Sequence, residues 1–176
     1  MSVLKLNQIQ TASGVIMANL NSSGANAGIQ LASNLAPAFS AYIGSTQTCS
    51  GDTATKIQCN TERFDTNGNY DNATNYRFTP TVAGYYLTTA SFYYSSYTAG
   101  AFVNLSFYKN GSNYQEVSRV TPNVTYGTIG GSCLVYLNGS TDYIEVYWYS
   151  ASGSTVLVAG NGAPLSHFDA SFVRSA

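Results

Sequence analysis

The sequence predicts an all-β sandwich. Three observations carry that prediction: apolar and polar residues alternate in short runs from about Ala38 onward, β-branched and aromatic residues are enriched in those runs, and Gly or Asn punctuates the gaps between them. A pleated strand sends successive side chains to opposite faces, so alternation marks a surface with one face in a core. Strands at this spacing, with turns between them and no helical periodicity, indicate a sandwich or jelly roll. The 176 residues suffice for one domain with a sizeable core plus a modest extension.

Residues 1–36 differ in texture. Isolated apolar positions, Leu4, Leu6, Ile9, Ile16 and Leu20, are separated by small and polar residues that include Asn21-Ser22-Ser23-Gly24-Ala25-Asn26-Ala27-Gly28. Alone, such a segment buries too little to offset its own ordering entropy. It is expected to be an attachment or stalk segment that orders against sister chains or a docking partner, the alternative being a disordered tail. The sandwich is expected over residues 37–176.

Within that head, the run Tyr85-Tyr86-Leu87-Thr88-Thr89-Ala90-Ser91-Phe92-Tyr93-Tyr94 carries large groups on both faces. Such a strand is expected to be covered twice, by the facing sheet and by a neighbouring subunit. Ala101-Phe102-Val103-Asn104-Leu105-Ser106-Phe107-Tyr108 alternates and then meets Lys109-Asn110-Gly111-Ser112, where Asn-Gly suits the positive φ values of a two-residue turn. A hairpin into residues 114–120 follows. After residues 132–137, Asn138-Gly139 hands the chain to Tyr143-Ile144-Glu145-Val146-Tyr147-Trp148-Tyr149. There Ile144, Val146 and Trp148 belong to a core, while Tyr143, Glu145, Tyr147 and Tyr149 are placed to meet solvent or a partner.

Composition narrows the function classes. Only 9% of residues are charged, against roughly 25% in an ordinary domain, so the surface must draw its polarity from Asn, Ser, Thr, Gly and Tyr. The formal charge is −1 and the basic residues form no run, which argues against nucleic-acid binding. No apolar stretch approaches the roughly 20 residues needed to cross a bilayer. Met1-Ser2-Val3-Leu4-Lys5-Leu6-Asn7-Gln8 lacks the apolar core of a signal peptide. Cys49, Cys59 and Cys133 are an odd set for a disulfide-stapled module. Either Cys49 and Cys59 close a small loop, or all three are small apolar groups. His167 is the only histidine, so the chain barely has the base of a hydrolytic triad or the ligands of a multi-histidine metal centre, and most such mechanisms are excluded. A carboxylate pair such as Glu62 with Glu116 has no sequence signal of convergence. The tyrosines, Tyr93, Tyr94, Tyr97, Tyr108 and Tyr114 among them, are candidates for an adhesive or sugar-stacking surface, Tyr97 above all because it lies near a loop.

Several stretches resemble the complement C1q and tumour necrosis factor head family. Residues 64–74, followed by Phe78-Thr79-Pro80 and Gly84-Tyr85-Tyr86, are similar to the family's block in which a turn leads into a central strand. Ala38-Phe39-Ser40-Ala41-Tyr42 resembles its opening strand, Gly130-Gly131-Ser132 through Leu137 with Asp142 and the strand after it its penultimate pair, and Phe168-Asp169-Ala170-Ser171-Phe172 its closing strand. Asn75 and Asp169 depart from residues common in the family. The resemblance implies a ten-stranded jelly roll that trimerises through one sheet, with Leu87, Thr89, Tyr126 and His167 near the subunit contacts. His167 is either a satisfied structural histidine or one of three copies meeting near the axis, which would make assembly sensitive to pH. Some heads of this family hold calcium, for which Asp65, Asp71, Asp142 and Asp169 are candidates, although turn aspartates bonding their own backbone explain them as well.

Leu4-Lys5-Leu6-Asn7-Gln8-Ile9-Gln10-Thr11-Ala12-Ser13-Gly14 resembles an opening segment of structural and fibre proteins of marine phages. The expectation is therefore a non-enzymatic virion protein. A homotrimeric tail-fibre or capsid-appendage head would be held to another virion protein by residues 1–36 and would contact a host surface glycan or protein. The rival readings are a secreted lectin or pattern-recognition module and a small carbohydrate-active enzyme.

Overall fold

A computed structural model describes residues 8–10, 16–20, 29–31, 36–96, 100–151, 153, 155–157 and 165–175. Contacts divide the chain into two units, Met1–Ala36 and Pro37–Ala176. In the first, β1 (Gln8–Gln10), β2 (Ile16–Leu20) and β3 (Ile29–Leu31) form an antiparallel sheet in the order β1-β2-β3. Ile9 pairs with Ala18 and Leu20 with Ile29.

The second unit is all-β in its described residues. Its first sheet contains β4 (Ala38–Tyr42), β5 (Gln47–Cys49), β7 (Thr61–Asp65), β10 (Gly84–Ser95), β13 (Gly127–Leu137), β15 (Thr155–Leu157) and β16 (His167–Arg174). The second contains β6 (Thr55–Lys56), β8 (Tyr70–Asp71), β9 (Arg77–Phe78), β11 (Val103–Lys109), β12 (Ser112–Val120) and β14 (Ile144–Ser150). Thirteen strands thus stand where the family resemblance implied ten. Five of them, β5, β6, β8, β9 and β15, are only two or three residues long, and the longer eight carry the sandwich.

Strand β10 organises the first sheet. It pairs antiparallel with β13 from Gly84↔Leu137 to Tyr94↔Gly127, and on its other edge with β16, which leads through β4 to β7. At its far end Tyr94 and Ser95 pair with β15, and β5 lies beyond. The second sheet runs β12-β11-β14-β9-β8, with β6 on β14. The hairpin predicted at Asn110-Gly111 is present: φ is +53° at Asn110 and +76° at Gly111, and Lys109 faces Ser112. Asn138-Gly139 instead carries the chain from one sheet to the other. Asn138 Oδ1 accepts from the backbone N–H groups of Ser140, Thr141 and Asp142.

Inward residues of the two sheets meet in one aromatic-rich core. Phe39 of β4 stacks on Tyr70 of β8 (centroids 4.4 Å apart, 8° between planes) and on Phe78 of β9 (4.7 Å, 24°), and meets Phe168 of β16 edge-on at 4.9 Å. One side chain thereby ties both sheets together. The buried Tyr70 hydroxyl donates to the Cys59 carbonyl at 3.0 Å, and the Tyr86 hydroxyl donates to the Val82 carbonyl at 2.6 Å, so each ring sinks without stranding its polar end. A close approach requires Gly84, because a Cβ there would lie 2.5 Å from the Arg174 carbonyl oxygen and from the Phe172 ring.

Ile144, Val146 and Trp148 are fully buried, as their alternation predicts. Glu145 is a correction: it stands on the face predicted to be open, yet only 1% of it is exposed. The sequence places its partner far away. β6 pairs antiparallel with β14 there, bringing Lys56 into an ion pair with Glu145 and into a hydrogen bond with the Asn75 carbonyl.

Phe39→Ala is expected to destabilise the protein by about 3–5 kcal/mol in urea denaturation, since it empties a site shared by both sheets. Val124→Ala, on an exposed loop residue, is expected to stay within about 0.5 kcal/mol of the parent.

Candidate functional site

The outward face of the β10 sheet carries the largest set of exposed apolar side chains. Along β10 the even positions from Gly84 to Tyr94 are buried, while Tyr85 and Leu87 are exposed and Thr89, Ser91 and Tyr93 partly so. Registration carries this outward row into neighbouring strands: Tyr85 faces Tyr136 and Leu87 faces Leu134 on β13, while Leu87 faces Ser171 and Thr89 faces Asp169 on β16. Val173 and Phe64 extend the surface along β16 and β7. Leu134 is 57% exposed, Val173 52% and Phe64 51%, which is uncommon for clustered side chains of this kind on a free surface. One shallow depression is lined by Tyr85, Leu134, Val173 and Arg174, and another by Phe64, Leu87, Thr89 and Asp169 among others.

The run 85–94 therefore has one core face and one outward face in the protomer. Of the four residues assigned to subunit contacts by the family resemblance, Leu87, Thr89 and His167 lie together on the outward face, His167 paired with Ser91. Tyr126, 59% exposed, stands at the opposite end of β10, just before the Tyr94–Gly127 pairing. His167 Nε2 lies 3.7 Å from Asp169 Oδ2, while Asp169 Oδ1 is buried without a hydrogen-bond partner among the described residues. Sequence reasoning set Tyr85 in the strand expected to meet a neighbouring subunit but missed Leu134, Tyr136, Val173 and Phe64, whose places on this face depend on non-local strand pairing.

The four aspartates are not brought together. Asp65 accepts from the N–H groups of Asn67 and Tyr70, and Asp142 from Lys109, Asn110 and the Asn138 N–H. Asp71 accepts from the N–H groups of Ala73, Thr74 and Asn75 and from the Asn75 side chain. Among the described residues no group of three His, Cys, Asp or Glu side chains is arranged to hold a metal. Glu62 lies on β7 of the first sheet and Glu116 on β12 of the second.

The three cysteines are free, Cys49 and Cys59 buried and Cys133 partly so, which is the apolar alternative of the two sequence readings. Burial pushes the Cys49 thiol up to about 12 and raises the Cys59 and Cys133 thiols as well. Tyr94 is a core residue packed on Trp148, Tyr93 is half-buried, and exposed Tyr114 donates its hydroxyl to the Leu134 carbonyl at 3.2 Å. Tyr97 lies outside the described residues. Among the described residues no helix is long and apolar enough to cross a membrane.

Two outcomes check these assignments. Hydrogen bonds, led by that from the Thr74 N–H, hold the Asp71 carboxyl down to about 2. A value depressed on folding contributes stability above the unfolded pKa of about 3.9 and loses it as pH falls towards 2. Asp71→Asn should therefore lower Tm at pH 7, with the gap closing by pH 2. In native protein a thiol reagent should spare Cys49 and Cys59, and in guanidinium all three thiols should titrate.

No protein-family model matches the chain, and no curated protein does. Solved structures do match. The Eiger TNF of S. frugiperda aligns with TM-score 0.56 at 10% identity over 81% of this chain and 94% of that one. The globular domain of zebrafish complement 1qA aligns with TM-score 0.55 at 16% identity, covering 80% and 98%. The PRD1 vertex protein P5 aligns with TM-score 0.55 at 14% identity, covering 90% and 83%. With two antiparallel sheets around one core, the second unit is a jelly roll of the tumour necrosis factor and complement C1q type.

Proposed function

We propose that this protein is a virion structural component whose jelly-roll head assembles as a homotrimer through the outward face of the β10 sheet and serves in host attachment or particle decoration. The observation that carries the assembly is the contiguous row of Tyr85, Leu87, Leu134, Tyr136 and Val173 on a chain with so few charges. Side chains of this size left in water forgo roughly 1.5–3 kcal/mol each of burial. A closed three-membered ring of copies, each meeting the next through this face, recovers that energy and leaves the opposite sheet free. Leu87, Thr89, His167 and, at the far end, Tyr126 are the contact residues of this reading.

Three further features favour the virion setting over a secreted lectin. The fold is shared with a phage vertex protein, the thiols are free, and residues 4–14 resemble an opening segment of phage structural proteins. In this reading residues 1–36 form the attachment to a second virion protein. No described cluster of acid, base and nucleophile favours an enzyme.

Light scattering on the full chain tests the assembly. A trimer is expected for the parent, and monomer for the double variant Leu87→Arg/Leu134→Arg, with β-sheet circular dichroism retained because both side chains already point outward. A monomeric parent, or a trimer that tolerates both arginines, overturns the proposed contact.

A further inference from the structure

The second sheet carries a different kind of surface. On β11 and the residue before it, Phe102, Asn104, Ser106 and Tyr108 point outward in one row, with aromatic rings at the ends and short polar residues between. Successive outward positions are roughly 6–7 Å apart, so a trough opens over Asn104 and Ser106. Register puts Tyr149 opposite Asn104 and Tyr147 opposite Ser106. Phe102 stacks with Tyr149 (5.6 Å, 26°) and Tyr108 with Tyr147 (3.9 Å, 23°), so the walls are two aromatic pairs. Arg119 closes one end, its guanidinium 4.4 Å from the Phe102 centroid. The groove encloses about 230 Å³, smaller than the several hundred Å³ of drug-sized sites. Its occupant is correspondingly small.

Its polar groups are unspent. Ser106 is 3% exposed, yet its hydroxyl makes no hydrogen bond among the described residues. The same holds for the hydroxyls of Tyr108, Tyr147 and Tyr149 and for Asn104 Oδ1. Asn104 Nδ2 donates to Glu116 Oε2 at 2.8 Å, which fixes the amide with its oxygen still available. Charge, by contrast, is balanced. Arg119 binds both oxygens of Glu116, at 2.8 and 2.6 Å, and Lys56 pairs with Glu145. An ionic ligand would have to displace one of these pairs.

We propose that this groove binds a neutral pyranose sugar, one or two rings long. Aromatic walls suit the C–H faces of a pyranose, and an amide oxygen with several free hydroxyls suits its alternating donors and acceptors. Balanced ion pairs leave no field favouring a phosphate, a sulfate or a cation. The site names a ligand class for host attachment but does not depend on the threefold contact, because a single protomer supplies every group.

The test is saturation-transfer NMR with full-length protein. The probes are methyl glycosides of glucose, galactose, mannose, fucose and N-acetylglucosamine, their disaccharides, and sialyllactose as the anionic comparison. Transfer is expected to at least one neutral probe. Titration should show at least tenfold weakening in Asn104→Ala and in Ser106→Ala, and no change in Tyr114→Ala, which lies outside the groove. Melting curves establish that each variant is folded, and Ser106→Ala removes a hydroxyl with little loss of volume should the Asn104 variant fail. Light scattering on the same samples reads assembly separately. Absence of transfer to every neutral probe, a preference for the sialylated one, or affinity unchanged in both groove variants overturns the proposal.

Discussion

Both faces of the first sheet are fixed by the registration of β10. Its pairing with β13 is unbroken from Gly84 to Tyr94, and the pairing with β16 shifts only at Tyr85/Tyr86. Because strands have a period of two, a slip of one residue would bring Tyr85, Leu87 and Thr89 into the core and turn Tyr86, Phe92 and Tyr94 outward. Several partners hold the phase. Tyr86 is locked by its bond to Val82 and by edge contacts with Phe78 and Phe172, while Gly84 admits the Arg174 backbone where a side chain would not fit. The core contacts and the outward apolar row are therefore two results of one constraint.

That constraint explains what was legible in the sequence. Alternation identified the strands and their inward residues, Ile144, Val146 and Trp148 among them, because parity is a local property. Asn110-Gly111 was legible because only a few residue pairs tolerate two successive positive φ values. Non-local pairings left no comparable signal. Neither the pairing of β6 with β14 nor the burial of Glu145 beside Lys56 follows from either segment alone, since 89 residues separate the charged partners. The short strands β5, β8, β9 and β15 exist through their neighbours rather than through intrinsic pattern. For the candidate site, the sequence marked Leu87 and Thr89, while the rest of the surface required knowing which strands flank β10.

The two sheets divide their outward chemistry. The first exposes clustered aliphatic and phenolic bulk, a surface suited to excluding water over a broad area. The second keeps its aromatics half-buried, spaces them with Asn104 and Ser106, and leaves hydroxyls unpaired, a surface suited to a small polar ligand. A shared core between them lets each outward face vary independently, because a substitution at an outward position leaves the inward packing of Phe39, Tyr70 and Phe168 untouched.

The same reasoning bears on the low identity to other jelly rolls. A sandwich needs parity, turn chemistry and a filled interior, and many sequences satisfy all three; 10–16% identity is therefore compatible with a common fold. What such a comparison transfers is the inward half of each strand and the order of the strands. The outward half is set by what each protein meets, so function must be argued from outward residues. Here those residues are charge-poor yet hydrogen-bonding, and Arg119, which lines the groove, is neutralised by Glu116. Recognition of a neutral sugar at the proposed groove would rest on ring contacts and neutral hydrogen bonds, which salt screens far less than attraction between exposed charges.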